Sequence, residues 1–218
     1  MRKILSAIVL FAGITPLTHA QSTAIRLIIG EGHKVYTKPA FANYCVGVGV
    51  DRTFNERLTA GFDVGVDVSG AFRAEPKSVV VTKGNVQTDF QVAPKLLSLN
   101  YHTEYALGEN DGTHVYIGTF LGLRHISQKW TSDGYSTDYN YVTAPVNISV
   151  SKWLIPVGLR LGLRGATDGG FMDLYVAAGY HVGGGKQITT ISSKLKDTPY
   201  TYTSAVAFTV GWAYGIGW

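Results

Sequence analysis

The sequence predicts an all-β fold, an eight-stranded antiparallel up-and-down transmembrane β-barrel, on three observations. Large apolar side chains alternate with Gly, Ala and charged residues over eight segments, with period two. The connections between those segments alternate strictly between short and long. Beyond the N-terminus there is no run of about eighteen apolar residues, so the apolar content is dispersed along strands rather than gathered into a spanning helix.

Composition agrees. The chain has 218 residues, 16% of them charged, with 26 Gly, 13 Tyr and a mean hydropathy of +0.09. The first element is a leader. Arg2-Lys3 is a charged start, Ile4 to Ile14 an apolar stretch, and "PLTHA" ends in the small residues Thr18 and Ala20 that a signal peptidase prefers. Residues 1–20 are therefore read as a signal peptide and 21–218 as the outer-membrane barrel domain. Removing Arg2 and Lys3 lowers the formal charge from +4 to +2, so a nucleic-acid partner has no support. The single cysteine, Cys45, excludes an internal disulfide framework.

The strands follow in order. Ile25, Leu27 and Ile29 flank Arg26 in the first. Tyr44, Val46, Val48 and Val50 alternate with Cys45, Gly47, Gly49 and Asp51 in the second. The third sets Leu58, Phe62, Val64, Val66 and Val68 against Gly61, Asp63, Gly65, Asp67 and Ser69. The fourth sets Leu97, Leu99, Tyr101, Thr103 and Tyr105 against Ser98, Asn100, His102 and Glu104. In the fifth, Val115 to Leu123 opposes Tyr116, Gly118, Phe120, Gly122 and Arg124. The sixth carries Trp153, Ile155, Val157, Leu159, Leu161 and Leu163 against Pro156, Gly158, Arg160, Gly162 and Arg164. The seventh opposes Met172, Leu174, Val176, Tyr180 and Val182 to Asp173, Tyr175, Ala177, Gly179 and His181. The eighth, Val206 to Trp218, has one face of Val, Phe, Trp, Tyr and Ile and another of Ala, Thr and Gly.

Short connections fall at Asn55–Arg57, Gly108–Thr113 and Thr167–Gly170, and long ones at 31–40, 73–90, 128–145 and 184–199. In a meander this places tight turns at one end and long loops at the other, the layout of an outer-membrane barrel. Tyr200 and Tyr202 lie past the upper edge, so strands are expected to project above the membrane.

A lipocalin-like barrel would turn its large apolar face inward. Here that would leave Gly, Ala and scattered charges outside. A charge on a lipid-facing wall costs about 2–4 kcal/mol near the midplane. Arg26, Asp51, Asp63, Asp67, Glu104, Arg124, Arg160, Arg164 and Asp173 are therefore expected inside as a paired lumen network. Eight strands leave a lumen that side chains can fill, so a plugged, ionic interior is expected rather than a diffusion pore.

Signal peptide, eight alternating strands, loop order and terminal aromatic together resemble the small outer-membrane barrels of the OmpA/OmpX type. More closely, the chain is similar to the porin-family "outer membrane protein beta-barrel domain" proteins of Bacteroidetes. The resemblance implies that Val210, Trp212, Tyr214 and Trp218 form the C-terminal signal read by the barrel-assembly machinery, after passage with periplasmic chaperones. The chain stops at Trp218, so the peptidoglycan-binding domain of longer OmpA proteins is not expected.

Chemistry is weakly signalled. His125 and Ser127 lie two apart on the lipid face, the spacing of a lipid A deacylase pair, but the facing stretch Val146, Ile148, Val150 offers no acid to orient the histidine. The "GGGK" stretch lacks the phosphate-loop pattern. His33, His102, His114 and His181 sit on separate elements without ligand spacing, so neither a metal nor a cofactor is expected. The expected function is structural or adhesin-like, with a narrow solute channel or a lipid A-modifying enzyme as alternatives. A monomer is expected, in contact with outer-membrane lipid and lipopolysaccharide, with a host or surface ligand at the mildly basic long loops.

Overall fold

The computed structural model describes residues 22–37, 40–69, 77–83, 86–110, 112–137, 140–183, 187–188, 199–200 and 205–217. The leader 1–20 and Trp218 lie outside the described residues, as do Gly184, Gly185 and Lys186 of "GGGK". Strands account for nearly all that is described: β1 (Ser22–Thr37), β2 (Ala40–Thr53), β3 (Leu58–Asp67), β4 (Lys77–Lys83), β5 (Val86–Asn110), β6 (Thr113–Ser136), β7 (Tyr141–Thr167), β8 (Gly170–Val182), β9 (Gln187–Ile188), β10 (Pro199–Tyr200) and β11 (Val206–Gly217). No helix among them is long and apolar enough to cross a membrane.

Eight strands close into a ring. β1 pairs with β2, β2 with β3, β3 with β5, and so on through β6, β7, β8 and β11, which returns to β1. Every pairing is antiparallel, and the ring leaves no edge to satisfy. The tight turns form where the sequence offers turn chemistry. Asn55 Oδ1 accepts from the Arg57 and Leu58 amides at 2.9 and 2.8 Å, closing β2 onto β3. Gly112 (φ 73°) and Gly169 (φ 82°) supply the left-handed residues of the other two short turns.

The outer wall is apolar and the period-two faces stand as the alternation requires. Leu159, Leu161, Leu163, Leu174, Val176, Phe208, Val210 and Trp212 are all exposed on it. Water would penalise such a continuous patch; hydrocarbon does not. The apolar run spans Val115–Leu123 on β6, Trp153–Leu163 on β7 and Val206–Ile216 on β11, close to the roughly 9–11 residues that a tilted strand needs to cross a bilayer. This is an eight-stranded antiparallel transmembrane β-barrel.

The structure differs from the sequence reading at the long-loop end. Much of 73–90 and 128–145 is strand rather than loop, so β5, β6 and β7 reach 25, 24 and 27 residues. At roughly 3.3 Å per residue they are about 80–90 Å of backbone each, far more than a membrane requires. β4 stands in line above β3 and pairs with Val86–Val92, while β3 pairs with Leu97–Tyr105 below. A ribbon of sheet therefore rises out of the barrel.

Candidate functional site

The lumen is filled in layers. The lowest is an ion network drawn from seven strands. Asp173 on β8 is its hub, accepting from Arg26 at 2.7 Å, Arg160 at 2.9 Å, Arg164 at 3.4 Å and the Tyr116 hydroxyl at 2.8 Å. One nitrogen of Arg164 also donates to Asp51 at 3.0 Å and Glu104 at 2.7 Å. Arg160 lies 3.4 Å from Glu104 and stacks over the Tyr175 ring at 3.6 Å. His102 fills the middle, with Nε2 3.2 Å from Asp51 and Nδ1 3.3 Å from Asp63. Every one of these ionisable side chains is buried. Such charges persist in low dielectric because opposite charges surround them and most also take hydrogen bonds.

Glycine makes the room. Tyr116 lies over Gly162, Tyr175 over Gly211, Phe171 over Gly215 and His102 over Gly61, each directly across a strand pair, and a β-carbon at any of these glycines would collide with the ring. The small face is small because large inward side chains lie down across it.

A second polar cluster sits higher. Arg124 contacts His181 at 2.9 Å and donates to Thr209 at 3.0 Å; His33 bridges Thr209 at 3.0 Å and Glu31 at 2.8 Å; the Tyr175 hydroxyl donates to Glu31 at 2.9 Å. Above this the described inner face mixes apolar side chains with the uncharged polar Thr88, Gln128 and Ser132. Phe90, Leu96, Ile126, Trp130 and Leu154 are buried there, with Phe90 and Trp130 edge to face at 5.7 Å. The interior is thus ionic in its lower part and largely uncharged above. Between the two polar clusters lies a cavity of about 20 Å³, room for about one water. Below the network a vestibule of about 510 Å³ opens at the short-turn end.

Of the nine charges expected inside, the structure brings seven together: Arg26, Asp51, Asp63, Glu104, Arg160, Arg164 and Asp173. Arg124 stands apart from them, in the upper cluster. Asp67 is half-buried at the top of β3, accepting from Asn43 at 2.7 Å and the Ser69 amide at 2.8 Å. Sequence reasoning had placed His102, Tyr116 and Tyr175 on the inward face without assigning them to the network. It also missed Glu31 and His33. Asp51, His102 and Glu104 converge to within 4.8 Å, a spacing that could suit a cation. Arg26 and Arg164 already contact those carboxylates, so guanidinium groups supply the positive charge there.

On the outside, Val210 and Trp212 are exposed to lipid and Tyr214 half-exposed. His125 also faces out, its ring tilted against that of Trp153 with centroids 4.6 Å apart, and its cross-strand partners are Leu97 and Trp153. Ser127 lies between Lys95 and Ser151, and not opposite the Val146–Val150 stretch that the sequence reading set beside it.

No family model matches the sequence, and no curated protein matches it. Among solved structures the chain is similar to Ail, the attachment invasion locus protein of Yersinia pestis, also solved with the heparin analogue sucrose octasulfate (13% identity, 90% of this chain and 98% of that one, TM-score 0.45). It is also similar to the N-terminal β-barrel domain of Pseudomonas aeruginosa OprF (13% identity, 91% and 98%, TM-score 0.43) and to Neisserial surface protein A (12% identity, 89% and 94%, TM-score 0.41).

Proposed function

We propose that this chain is an exported outer-membrane barrel with a closed lumen, whose role is contact at the cell surface through the sheet that β4 to β7 raise above the lipid. One observation carries the reading. On β5, β6 and β7 the outward face changes character at a single row of the ladder. Leu97, His125 and Trp153 close the apolar belt, and Lys95, Ser127 and Ser151 begin a polar face. The strands then continue for another ten residues or so before they turn. Such a length serves no purpose in crossing the bilayer. Lys95 and Lys129, exposed just above the belt, stand at the level of anionic headgroups and suit lipopolysaccharide.

The filled lumen argues against a channel, and the leader Arg2 to Ala20 supports export. We read the barrel as non-enzymatic, since His125 has an indole and a leucine beside it in place of an orienting acid.

The test has three arms. Refolded protein in planar bilayers should show no steady conductance. An epitope inserted between Thr137 and Asn140 should be reached by antibody on intact cells. A large steady conductance makes the barrel a pore, and an epitope reached only after lysis removes the surface role. A lipid A mass spectrum that loses an acyl chain dependent on His125 would make it a deacylase.

A further inference from the structure

Each of the two polar clusters in the lumen holds a buried imidazole that is engaged at both ring nitrogens. In the lower cluster, His102 has Nε2 3.2 Å from Asp51 and Nδ1 3.3 Å from Asp63. Glu104 at 3.5 Å and the Arg26 guanidinium at 3.2 Å also face Nε2. In the upper cluster, His33 has Nε2 2.8 Å from Glu31 and Nδ1 3.0 Å from the Thr209 hydroxyl. A ring placed in this way can take a proton at one nitrogen and give one up at the other.

The two rings are joined through the cavity between the clusters. Asp63 and His102 line it from below and Glu31 from above, together with Asn100, Tyr175 and Thr209. At about 20 Å³ it has room for about one water, and polar groups surround that water on several sides. Asp63 Oδ1 and Asn100 Oδ1 are buried and have no hydrogen-bond partner among the described residues; a water in the cavity supplies a donor. At the lower end, Asp51 lines the vestibule that opens between the short turns. At the upper end, Asn43 stands opposite His33 on β2 and donates at 2.7 Å to Asp67, a half-buried carboxylate at the top of β3.

The order is carboxylate, imidazole, carboxylate, water, carboxylate, imidazole. Intramembrane chains of Asp, Glu and His are the material of proton relays. We propose that the barrel conducts protons through a lumen closed to ions and solutes, along Asp51, His102, Asp63, the cavity water, Glu31 and His33. Only protons move. Asp51 passes one to His102 Nε2 while Nδ1 releases one to Asp63. The water accepts that proton and gives another to Glu31, which passes it to His33 Nε2 while Nδ1 releases one through the Thr209 hydroxyl. One proton leaves for each that enters, and the chain resets when both rings regain their starting tautomer. A hydrated ion is held back because the cavity takes a single water. Protons are scarce near neutrality, so the flux adds no steady current of the size a pore gives. The proposal rests on the closed lumen and not on the surface role.

The experiment places the refolded full barrel in liposomes of phosphatidylethanolamine and phosphatidylglycerol that contain the pH dye pyranine. Potassium is equal on both sides, and valinomycin lets it balance the charge that protons carry. After an external acid step, liposomes with protein should acidify faster than liposomes without it. In a parallel set without valinomycin, potassium should leak no faster than from protein-free liposomes. His102→Gln and His33→Gln keep a polar side chain that cannot shuttle a proton, and each should bring acidification down to the protein-free rate. Ala177→Val fills the cavity without touching a titratable group and should do the same, which covers the case in which a histidine variant fails to fold. His125→Gln, on the lipid face, should leave the rate unchanged.

A parent that acidifies no faster than protein-free liposomes, or a faster rate that all three relay variants keep, overturns the proposal and leaves the closed lumen standing. Potassium leaking alongside the protons overturns it as well, and sinks the closed lumen with it.

Discussion

Replacing Asp173 by Asn keeps the shape of the network's hub and removes its charge. Four groups donate to that carboxylate, and they are unequally provided for without it. Arg160 keeps Tyr116 at 3.1 Å and Glu104 at 3.4 Å, and Arg164 keeps Asp51 and Glu104 at 3.0 and 2.7 Å. Arg26 keeps carboxylates only at 3.9 Å, from Asp51, Asp63 and Glu104. The substitution therefore leaves one fully buried guanidinium poorly paired, and breaking a buried pair from one side costs about 3–5 kcal/mol. About 4 kcal/mol is close to a thousandfold in the folded-to-unfolded ratio. Urea titration of the barrel in lipid vesicles, followed by heat-modifiable migration, measures it. Removing the stranded partner as well, in Asp173→Asn with Arg26→Met, should cost less than the two single losses added together, by about 1–2 kcal/mol. An Asn variant within about 1 kcal/mol of the parent, or losses that simply add, would refute the hub.

Three further outcomes are expected. Arg160→Ala with Arg164→Ala empties much of the lowest layer and should create conductance in planar bilayers where the parent has little; an unchanged trace would mean the upper clusters suffice to seal the lumen. Gly162→Val drives a branched side chain into the Tyr116 ring and should destabilise by about 1–3 kcal/mol, as overpacking does, with partial recovery in Gly162→Val combined with Tyr116→Ala. On the lipid face, Leu161→Val should cost under about 1 kcal/mol because lipid repacks around it, while Leu161→Arg should cost about 2–4 kcal/mol; equal costs in the same urea titration would place Leu161 away from lipid.

The membrane-crossing strands were legible because hydrocarbon enforces their alternation at every residue: one misplaced charge on the outer wall is expensive. The raised parts of β5 to β7 were not. Above Leu97, His125 and Trp153 neither face meets lipid, so Gln128, Lys129, Ser132, Asp133 and Gly134 look like a loop while forming strand. Glu31 and His33 were hidden by a phase change. Arg26 and Ile28 point inward from even positions, but the register of β1 shifts between Ile28 and Gly30, and from there the odd positions Glu31 and His33 face the lumen. The inward charges could be counted from single strands, but their pairing could not. Which side chains reach the same height depends on tilt and stagger around the ring, so Arg26 of β1 meets Asp173 of β8 and His102 of β5, 147 and 76 residues away. For the same reason Arg124 rose out of the network, and the glycine beneath each aromatic ring was visible only once the strands were in register.

The lowest layer takes charged side chains from β1, β2, β3, β5, β7 and β8, with Tyr116 from β6. The half made of β5 to β8 holds Glu104, Arg160, Arg164 and Asp173 in balance, but Arg26 meets Asp173 and Asp51 meets Arg164 only in the closed ring. A growing sheet that strayed into the bilayer would expose bare guanidinium and carboxylate groups along its concave side, and the hydrocarbon would reject it. The charges become tolerable together, at the moment the first and last strands meet. The plug therefore has a consequence for assembly as well as for sealing: a partly built sheet holds unpaired charges against hydrocarbon, and the closed ring does not.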